Sequence, residues 1–316
     1  MTFKIFIDGE AGTTGLRIHS RLKDRRDLTL VSIDPARRKD AAARAELLNS
    51  ADLVILCLPD DAAREAVALI ENPKVKVIDA STAHRTAPGW TFGFPEFEPG
   101  QRAAVAGATR VSNPGCYSTG AIALLRPLVR SGLLPSGWPV TINAVSGYSG
   151  GGKAMIAEFE DASSQAFTQV PYRIYATGLE HKHVPEIQRH VGLDHRPLFA
   201  PAVGRYAQGM IVEVPLQLWA LPDQPSLEQV HAALAVAYAG EPFVEVATLH
   251  ESAALKTLDP EGLNGTNRMR LVVFGAAGGR QARLVAQLDN LGKGASGAAV
   301  QSLNLMLGLD EAEGLV

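Results

Sequence analysis

Short apolar runs alternate with amphipathic stretches through the first hundred residues of the chain. Phe3-Lys4-Ile5-Phe6-Ile7 reads as a strand, and the helical interval after it puts Ile18 and Leu22 on one face. Leu28 to Ile33 is a second strand and Leu53 to Leu58 a third. Ala62 to Ile70 is then helical, with Ala62, Ala66 and Leu69 to Ile70 inward, and Val75-Lys76-Val77-Ile78 is a fourth strand. Strands separated by helices at this spacing need crossover connections, so the pattern predicts a mostly parallel sheet with helices on both faces. In such sheets ligands sit at the carboxyl ends of the strands. The continuous apolar run through Leu58 places Cys57 inside a buried strand, as filling.

Further along, strand patterns occur at Val140 to Val145, Ile211 to Leu218, Leu271 to Phe274 and Arg283 to Leu288, with a helical stretch at Leu227 to Tyr238. Together they suggest an α+β domain whose sheet keeps one face for a partner subunit. Near the end, Lys293-Gly294-Ala295-Ser296-Gly297 precedes a helix with Val300, Leu303 and Leu307 on one face and Gly308 as its stop. That helix looks like a late return to the first domain.

The 316 residues suffice for two domains or one large one, and 46% hydrophobic with 20% charged residues is an ordinary globular composition. A formal net charge of −3 gives no electrostatic footprint for nucleic acid or an anionic membrane, which leaves small charged metabolites as expected partners. No apolar stretch reaches the length of a membrane span. Two cysteines far apart, without a secretory leader pattern at Met1-Thr2-Phe3-Lys4, argue against a disulfide framework and for a reducing cytoplasm.

The first strand runs into Gly9-Glu10-Ala11-Gly12-Thr13-Thr14-Gly15, which opens the first helix. Glycines at Gly9, Gly12 and Gly15 suit a tight turn, bare backbone against a pyrophosphate and close helix-to-strand packing. The G-x-x-G-x-x-G spacing departs from the commoner G-x-G-x-x-G, and a purely structural turn is the competing account. After the second strand, Asp34 favours a ribose 2′-hydroxyl and hence NAD, whereas Arg37-Arg38-Lys39 favour a 2′-phosphate. Three cations outweigh one carboxylate, so NADP is expected.

Ser112-Asn113-Pro114-Gly115-Cys116-Tyr117 sets a cysteine between a Pro-Gly turn and an apolar helical pattern. There the thiol meets the positive end of the helix dipole and unpaired backbone N–H groups, which favour thiolate and can also receive a developing oxyanion. His181-Lys182-His183-Val184-Pro185-Glu186 offers two imidazoles before a helix that Pro185 can start, an acid–base pair for that thiolate. H-x-H with a carboxylate is also a possible metal set, but no further ligand cluster accompanies it, so no metal is expected. The glycine-rich turn Ser146-Gly147-Tyr148-Ser149-Gly150-Gly151-Gly152-Lys153 misses the phosphate-loop spacing, because Ala154 follows the lysine. It suits backbone donors approaching a cofactor or an anionic substrate.

Read together, these segments resemble the N-acetyl-γ-glutamyl-phosphate reductases, in particular their shorter form, over nearly the whole chain. The resemblance rests on Asp8 to Gly15, Asp79-Ala80-Ser81-Thr82-Ala83-His84-Arg85 and Gly93-Phe94-Pro95-Glu96. It continues through the cysteine segment with Pro127 beyond it, Ser146 to Lys153, His181 to Glu186, and Gly294 to Asn304. Ser118 and Leu124 depart from the long form. The resemblance implies a Rossmann-like NADP-binding domain at 1–115, completed by 294–316, and an α+β catalytic and oligomerisation domain at 116–293, on the plan of glyceraldehyde-3-phosphate and semialdehyde dehydrogenases.

It further implies reduction of an acyl phosphate through a Cys116 thioester, with His181, His183 and Glu186 as catalytic partners and NADPH as hydride donor. Cofactor contacts are expected from Gly9, Gly12, Thr13, Thr14, Gly15, Arg37, Arg38, Ser146, Gly147 and Asn304, and substrate contacts from Ser81, Arg85 and Asn113. A homo-oligomer, dimer or tetramer, is expected. The choice between His181 and His183 stays open, since an extended backbone would put both on one face and a helical one would separate them. Rival readings are the same chemistry on another acyl phosphate, as in aspartate-semialdehyde dehydrogenase or the lysine-pathway reductases, and a catalytically silent NADP-sensing regulator.

Overall fold

The computed structural model describes residues 2–37 and 40–316. The chain divides into two compact units, one built from 1–95, 99–115 and 295–316, the other from 96–98 and 116–294. That 96–98 groups with the second unit is a feature the sequence does not announce.

In the first unit the order is β1 (Phe3–Asp8), α1 (Thr13–Leu22), β2 (Leu28–Val31), α2 (Ala41–Ser50), β3 (Leu53–Leu56), α3 (Asp60–Ala68), β4 (Lys76–Asp79), β5 (Thr91–Phe92), α4 (Gln101–Gly107) and β6 (Arg110–Ser112). The six strands are all parallel, in the order β2-β1-β3-β4-β6-β5. The chain steps from β1 outward to β2 and then back across to β3, so the strand order reverses at β1 and β3, where such sheets bind ligands. Side chains of β1 alternate between two cores. Ile5 and Ile7 pack with Ile18, Leu22, Ile55 and Val105, and Phe6 packs with Leu48, Val54, Ala63 and Val77. The third strand ends at Leu56, one residue before Cys57, so Cys57 stands half-buried at the carboxyl end instead of inside the strand.

The second unit opens with α5 (Cys116–Arg130) and continues with β7 (Thr141–Gly147), α6 (Gly152–Glu160), β8 (Tyr172–Ile174), α7 (Val184–Val191), β9 (Leu198–Gly204), β10 (Met210–Gln217), α8 (Leu227–Ala237), β11 (Val244–Val246), α9 (Leu249–Ala254), β12 (Met269–Phe274) and β13 (Gln281–Leu288). Seven strands form a mixed sheet in the order β11-β12-β13-β10-β7-β9-β8. Helix α5 lies close on one face, because a Cβ at Gly120 would come within 2.9 Å of the Val212 side chain. Pro127 sits inside α5 and cannot donate to the carbonyl four residues back, at Ala123. The buried Tyr238 hydroxyl supplies that bond instead, at 2.9 Å. On the opposite face Ile211, Val272 and Val285 are buried with Ala247, whereas Pro215, Gln217, Gln281 and Arg283 are exposed.

A π-helical turn at Gly292–Ser296 leads into α10 (Gly297–Leu307), which ends on Gly308 in the left-handed conformation at φ 69°. Ala299, Val300, Leu303 and Met306 of α10 join the core of Ile5, Ile7 and Ile55, so the final helix completes the first unit's sheet.

Candidate active site

At the reversal point of the first unit, Gly9 has φ +90°, and a Cβ there would lie 2.3 Å from the Cys57 carbonyl oxygen. A Cβ at Gly15 would lie 2.5 Å from the Gly9 oxygen, so both glycines serve the close approach of β1, β3 and α1. Gly12 is the N-cap of α1 and brings no side-chain acceptor. The first-turn N–H groups of Thr13, Thr14 and Gly15 therefore lack an intrahelical acceptor, and this donor set fits a pyrophosphate.

The end of β1 is neutralised locally: Arg44 Nη2 donates to Asp8 Oδ2 at 2.7 Å. Glu10 takes a 2.8 Å bond from the Ser32 hydroxyl and lies 3.3 Å from His19 Nε2. Neither Arg44 nor Glu10 was marked by the sequence pattern. The Asp34 carboxylate accepts from the Ala36 N–H at 2.9 Å, so it caps its own turn. Arg37 is exposed and donates through Nε and Nη2 to Asp40 Oδ2, at 3.1 and 2.9 Å. Arg38 lies outside the described residues.

At the carboxyl end of β4 the buried Asp79 carboxylate gathers the Ser81 N–H at 2.9 Å, the Ser81 hydroxyl at 2.7 Å and His84 Nδ1 at 2.6 Å. His84 in turn stacks on Trp90 with ring centroids 4.1 Å apart. Arg85 is 8% exposed and donates Nε to the Asn113 carbonyl and Nη2 to that of Ala80. It braces the segment before Cys116. Asn113 donates its amide to the Ala295 carbonyl at 3.0 Å, while its buried Oδ1 has no hydrogen-bond partner among the described residues.

Asn304, expected at the cofactor, lies on α10. Its side chain is fully buried, Oδ1 accepts from Arg25 at 2.6 Å, and Nδ2 donates to the carbonyls of Glu311 and Glu313. The amide thus ties down the C-terminal segment.

In the second unit Cys116 is the first residue of α5, half-buried, and outside any disulfide. A Cβ at Gly294 would stand 2.8 Å from the Cys116 Cβ, so bare backbone lines the base of the thiol. Around Tyr117 gather His181, His183 and Phe199, with ring centroids 5.9, 5.7 and 5.3 Å away. The two histidine rings are 4.7 Å apart. His183 is 4% exposed, whereas His181 is half-exposed.

The His183 N–H donates to His181 Nδ1 at 3.1 Å, which puts the proton of a neutral His181 on Nε2, 3.4 Å from the Tyr175 hydroxyl. Burial, with negative charge on Cys116 adding to it, pushes the Tyr175 hydroxyl up to about 12 despite a contrary hydrogen bond from Tyr117. Both tyrosines therefore stay neutral beside the thiol. The aromatic next to the cysteine was the signal for Tyr117; nothing local signals Tyr175.

Glu186, in the first turn of α7, accepts a 2.7 Å bond from the Ser118 hydroxyl. Ser146 is buried at the end of β7 with its hydroxyl on the Gly147 carbonyl, and Ser149 accepts from Asn290 at 3.1 Å. A Cβ at Gly147 would meet the Ala207 carbonyl oxygen at 2.6 Å, so this glycine serves packing. Among the described residues no group of three or more His, Cys, Asp or Glu is placed to hold a metal ion. No helix of the described residues is long and apolar enough to cross a membrane.

Known families match this layout. Residues 11–105 match the semialdehyde dehydrogenase NAD binding domain and residues 116–290 the semialdehyde dehydrogenase dimerisation domain. Solved structures carry the same fold. Aspartate semialdehyde dehydrogenase II from Vibrio cholerae superposes with a TM-score of 0.69 at 17% identity, covering 98% of this chain and 99% of that one. The Francisella tularensis aspartate semialdehyde dehydrogenase gives 0.69 at 14%, covering 97% and 100%. The class is thus that of the semialdehyde dehydrogenases.

Sequence relatives narrow it. An N-acetyl-gamma-glutamyl-phosphate reductase 2 from Nostoc sp. is 57% identical over 99% of both chains. The Burkholderia orbicola N-acetyl-gamma-glutamyl-phosphate reductase is 57% identical over 96% of this chain and 97% of its own. The chain belongs to the N-acetyl-γ-glutamyl-phosphate reductase family.

Proposed function

We propose that this chain reduces N-acetyl-γ-glutamyl phosphate to N-acetylglutamate 5-semialdehyde and phosphate, with NADPH as reductant, in arginine biosynthesis. The observation that carries the reading is Cys116 at the first residue of a 15-residue helix, half-exposed, in the same unit as the paired imidazoles of His181 and His183. Identity of 57% over the full length of reductases of that name supports the substrate.

The Cys116 thiolate attacks the acyl carbon, the C–O bond to phosphate breaks, and the acyl group remains as a thioester. N–H groups of the first turn of α5 receive the oxygen that gains charge. NADPH, when bound, supplies the hydride that reduces the thioester carbonyl. Loss of the Cys116 thiolate from the resulting thiohemiacetal then releases the aldehyde and restores the nucleophile. His181, the more accessible of the two rings, exchanges protons with the oxygen through Nε2, while the buried His183 holds the His181 ring in place. Glu186 positions rather than reacts, through Ser118. The first turn of α1 would hold the pyrophosphate, and Arg37 the 2′-phosphate.

The exposed far face of the second unit's sheet, around Pro215, Gln217, Gln281 and Arg283, supports a homo-oligomer, dimer or tetramer, formed through the dimerisation domain. A working thiol and two cysteines outside disulfides suit a reducing cytoplasm.

The deciding assay runs the reaction backwards: phosphate-dependent reduction of NADP with N-acetylglutamate semialdehyde, beside aspartate semialdehyde. Turnover with the acetylated substrate alone is expected, and its abolition in Cys116→Ser. Preference for aspartate semialdehyde would overturn the substrate assignment, and an active Cys116→Ser enzyme the covalent mechanism.

A further inference from the structure

The second unit contains an ion pair withdrawn almost wholly from water. Lys293 Nζ lies 2.7 Å from Glu96 Oε1, and the two side chains are 1% and 0% exposed. The ammonium also stands 5.5 Å from the centre of the Phe243 ring. Such a pair is a poor device for stability alone, because desolvating both charges offsets most of their attraction, and apolar side chains of similar volume hold a core as well. Its placement supplies a different reason.

Lys293 belongs to the π-helical turn Gly292–Ser296, between two glycines that have no room for a side chain. A Cβ at Gly292 would lie 2.1 Å from the Thr266 carbonyl oxygen, and one at Gly294 would lie 2.8 Å from the Cβ and 3.2 Å from the Cα of Cys116. The N–H groups of Gly292 and Gly294 both reach the Asp289 carbonyl, at 3.1 and 2.9 Å. That gives the turn one fixed end, at Asp289. A further anchor is the Lys293 side chain, held by Glu96. Glu96 itself is part of the three-residue piece 96–98 that groups with this unit. Its neighbour Phe97 carries the Arg126 guanidinium 3.8 Å from its ring centre, and Glu98 pairs with Arg126 and Arg130, all on α5, the helix that begins at Cys116.

We propose that Lys293 and Glu96 are a positioning pair: they clamp the π-turn so that the Gly294 backbone abuts Cys116 and fixes where the thiol stands. The inference rests on Cys116 as nucleophile. Without the clamp the turn can relax away from the Cys116 Cβ, and the sulfur gains room to leave its productive position. A misplacement of about 1 Å costs on the order of 100-fold in rate.

The test uses the full-length enzyme in two variants. Lys293→Met with Glu96→Gln removes both charges together and so leaves no lone buried ion. Gly294→Ala keeps the pair but sets a methyl group against Cys116. Both should fold, by circular dichroism, and bind NADPH with a Kd within about twofold of the parent, since neither alters the first turn of α1 or Arg37, where the phosphates would be held.

Two rates should fall about tenfold or more in each: kcat, with the KM for the acyl phosphate little changed, and the alkylation of Cys116 by iodoacetamide, followed from about pH 6 to about pH 9. Parental values of both rates in Gly294→Ala, or in a folded double variant, overturn the proposal. Should the double variant not fold, Gly294→Ala decides alone by the same two rates. Alkylation reports the position of the thiol whether or not turnover depends on it, so an active Cys116→Ser enzyme would sink the nucleophile assignment separately.

Discussion

The Ser118 hydroxyl donates to Glu186 Oε2 at 2.7 Å, with Ser118 fully buried and Glu186 1% exposed. Ser118 is two residues beyond Cys116 and Glu186 three beyond His183, so one bond couples the turn that carries the thiol to the turn that follows the imidazoles. Ser118→Ala leaves a buried carboxylate short of a donor, and unfolding in urea should show a loss of about 1.5–3 kcal/mol. Loosened coupling should also lower kcat more than it raises KM. An unchanged kcat would confine the bond to stability.

The two thiols should separate cleanly by chemistry. Burial, then the charges of Asp79 and Asp8, push the Cys57 thiol up to about 12. A raised value means that less thiolate forms at any lower pH, and at pH 8 only about one molecule in ten thousand carries it. Iodoacetamide at that pH should therefore label Cys116 and spare Cys57 until denaturant is added, as peptide mass mapping would show. Native-state label on Cys57 would contradict this placement.

The strands easiest to find from sequence were those buried on both faces, such as β3, whose Leu53-Val54-Ile55-Leu56 has no polar interruption. β9 lies between β7 and β8, yet its Leu198-Phe199-Ala200-Pro201-Ala202-Val203-Gly204 run does not read as a strand. Small residues and Pro201 there weaken the alternation that marks a strand. Helix α2 hides for a related reason: Ala41-Ala42-Ala43-Arg44 offers no apolar stripe. Cys116 was legible because a Pro-Gly turn and an apolar helix sit next to it in the chain. Lys293 and Glu96 are 197 residues apart, and no local pattern can pair them. Which histidine is exposed depended on the turn at His183, where the helical backbone at φ −82° and ψ −16° lets its N–H reach His181 Nδ1.

His181→Asn should lower kcat by about 10²- to 10⁴-fold and remove a limb from the pH–rate profile, whereas His183→Asn, which empties a buried site, should chiefly lower the melting temperature. Exhaustive chelation with EDTA should leave the parent rate unchanged. If His183→Asn proved the one that abolished the limb, the roles of the two rings would be exchanged.

Arg37 faces solvent and is held by Asp40. Replacing it with alanine should raise the KM for NADPH about tenfold and leave that for NADH nearly unchanged, because only the former carries a 2′-phosphate for a charge-assisted bond. Equal effects on both cofactors would place the arginine away from the ribose.

Because α10 packs on the core of Ile5, Ile7 and Ile55, the early strands of the first unit depend on a helix translated only after the whole of 116–294. The strands of the first unit leave the ribosome well before Gly297–Leu307 is made. At about 5–20 residues per second the delay is on the order of ten seconds or more. Through that interval the face of Ile5, Ile7 and Ile55 has α1 and α4 against it but waits for α10 while the whole of 116–294 is synthesised. A ribosome stalled before α10 would hold a chain whose nucleophile segment is already translated but whose cofactor sheet still lacks one of its covering helices. Demand for chaperones should thus fall once α10 has left the ribosome.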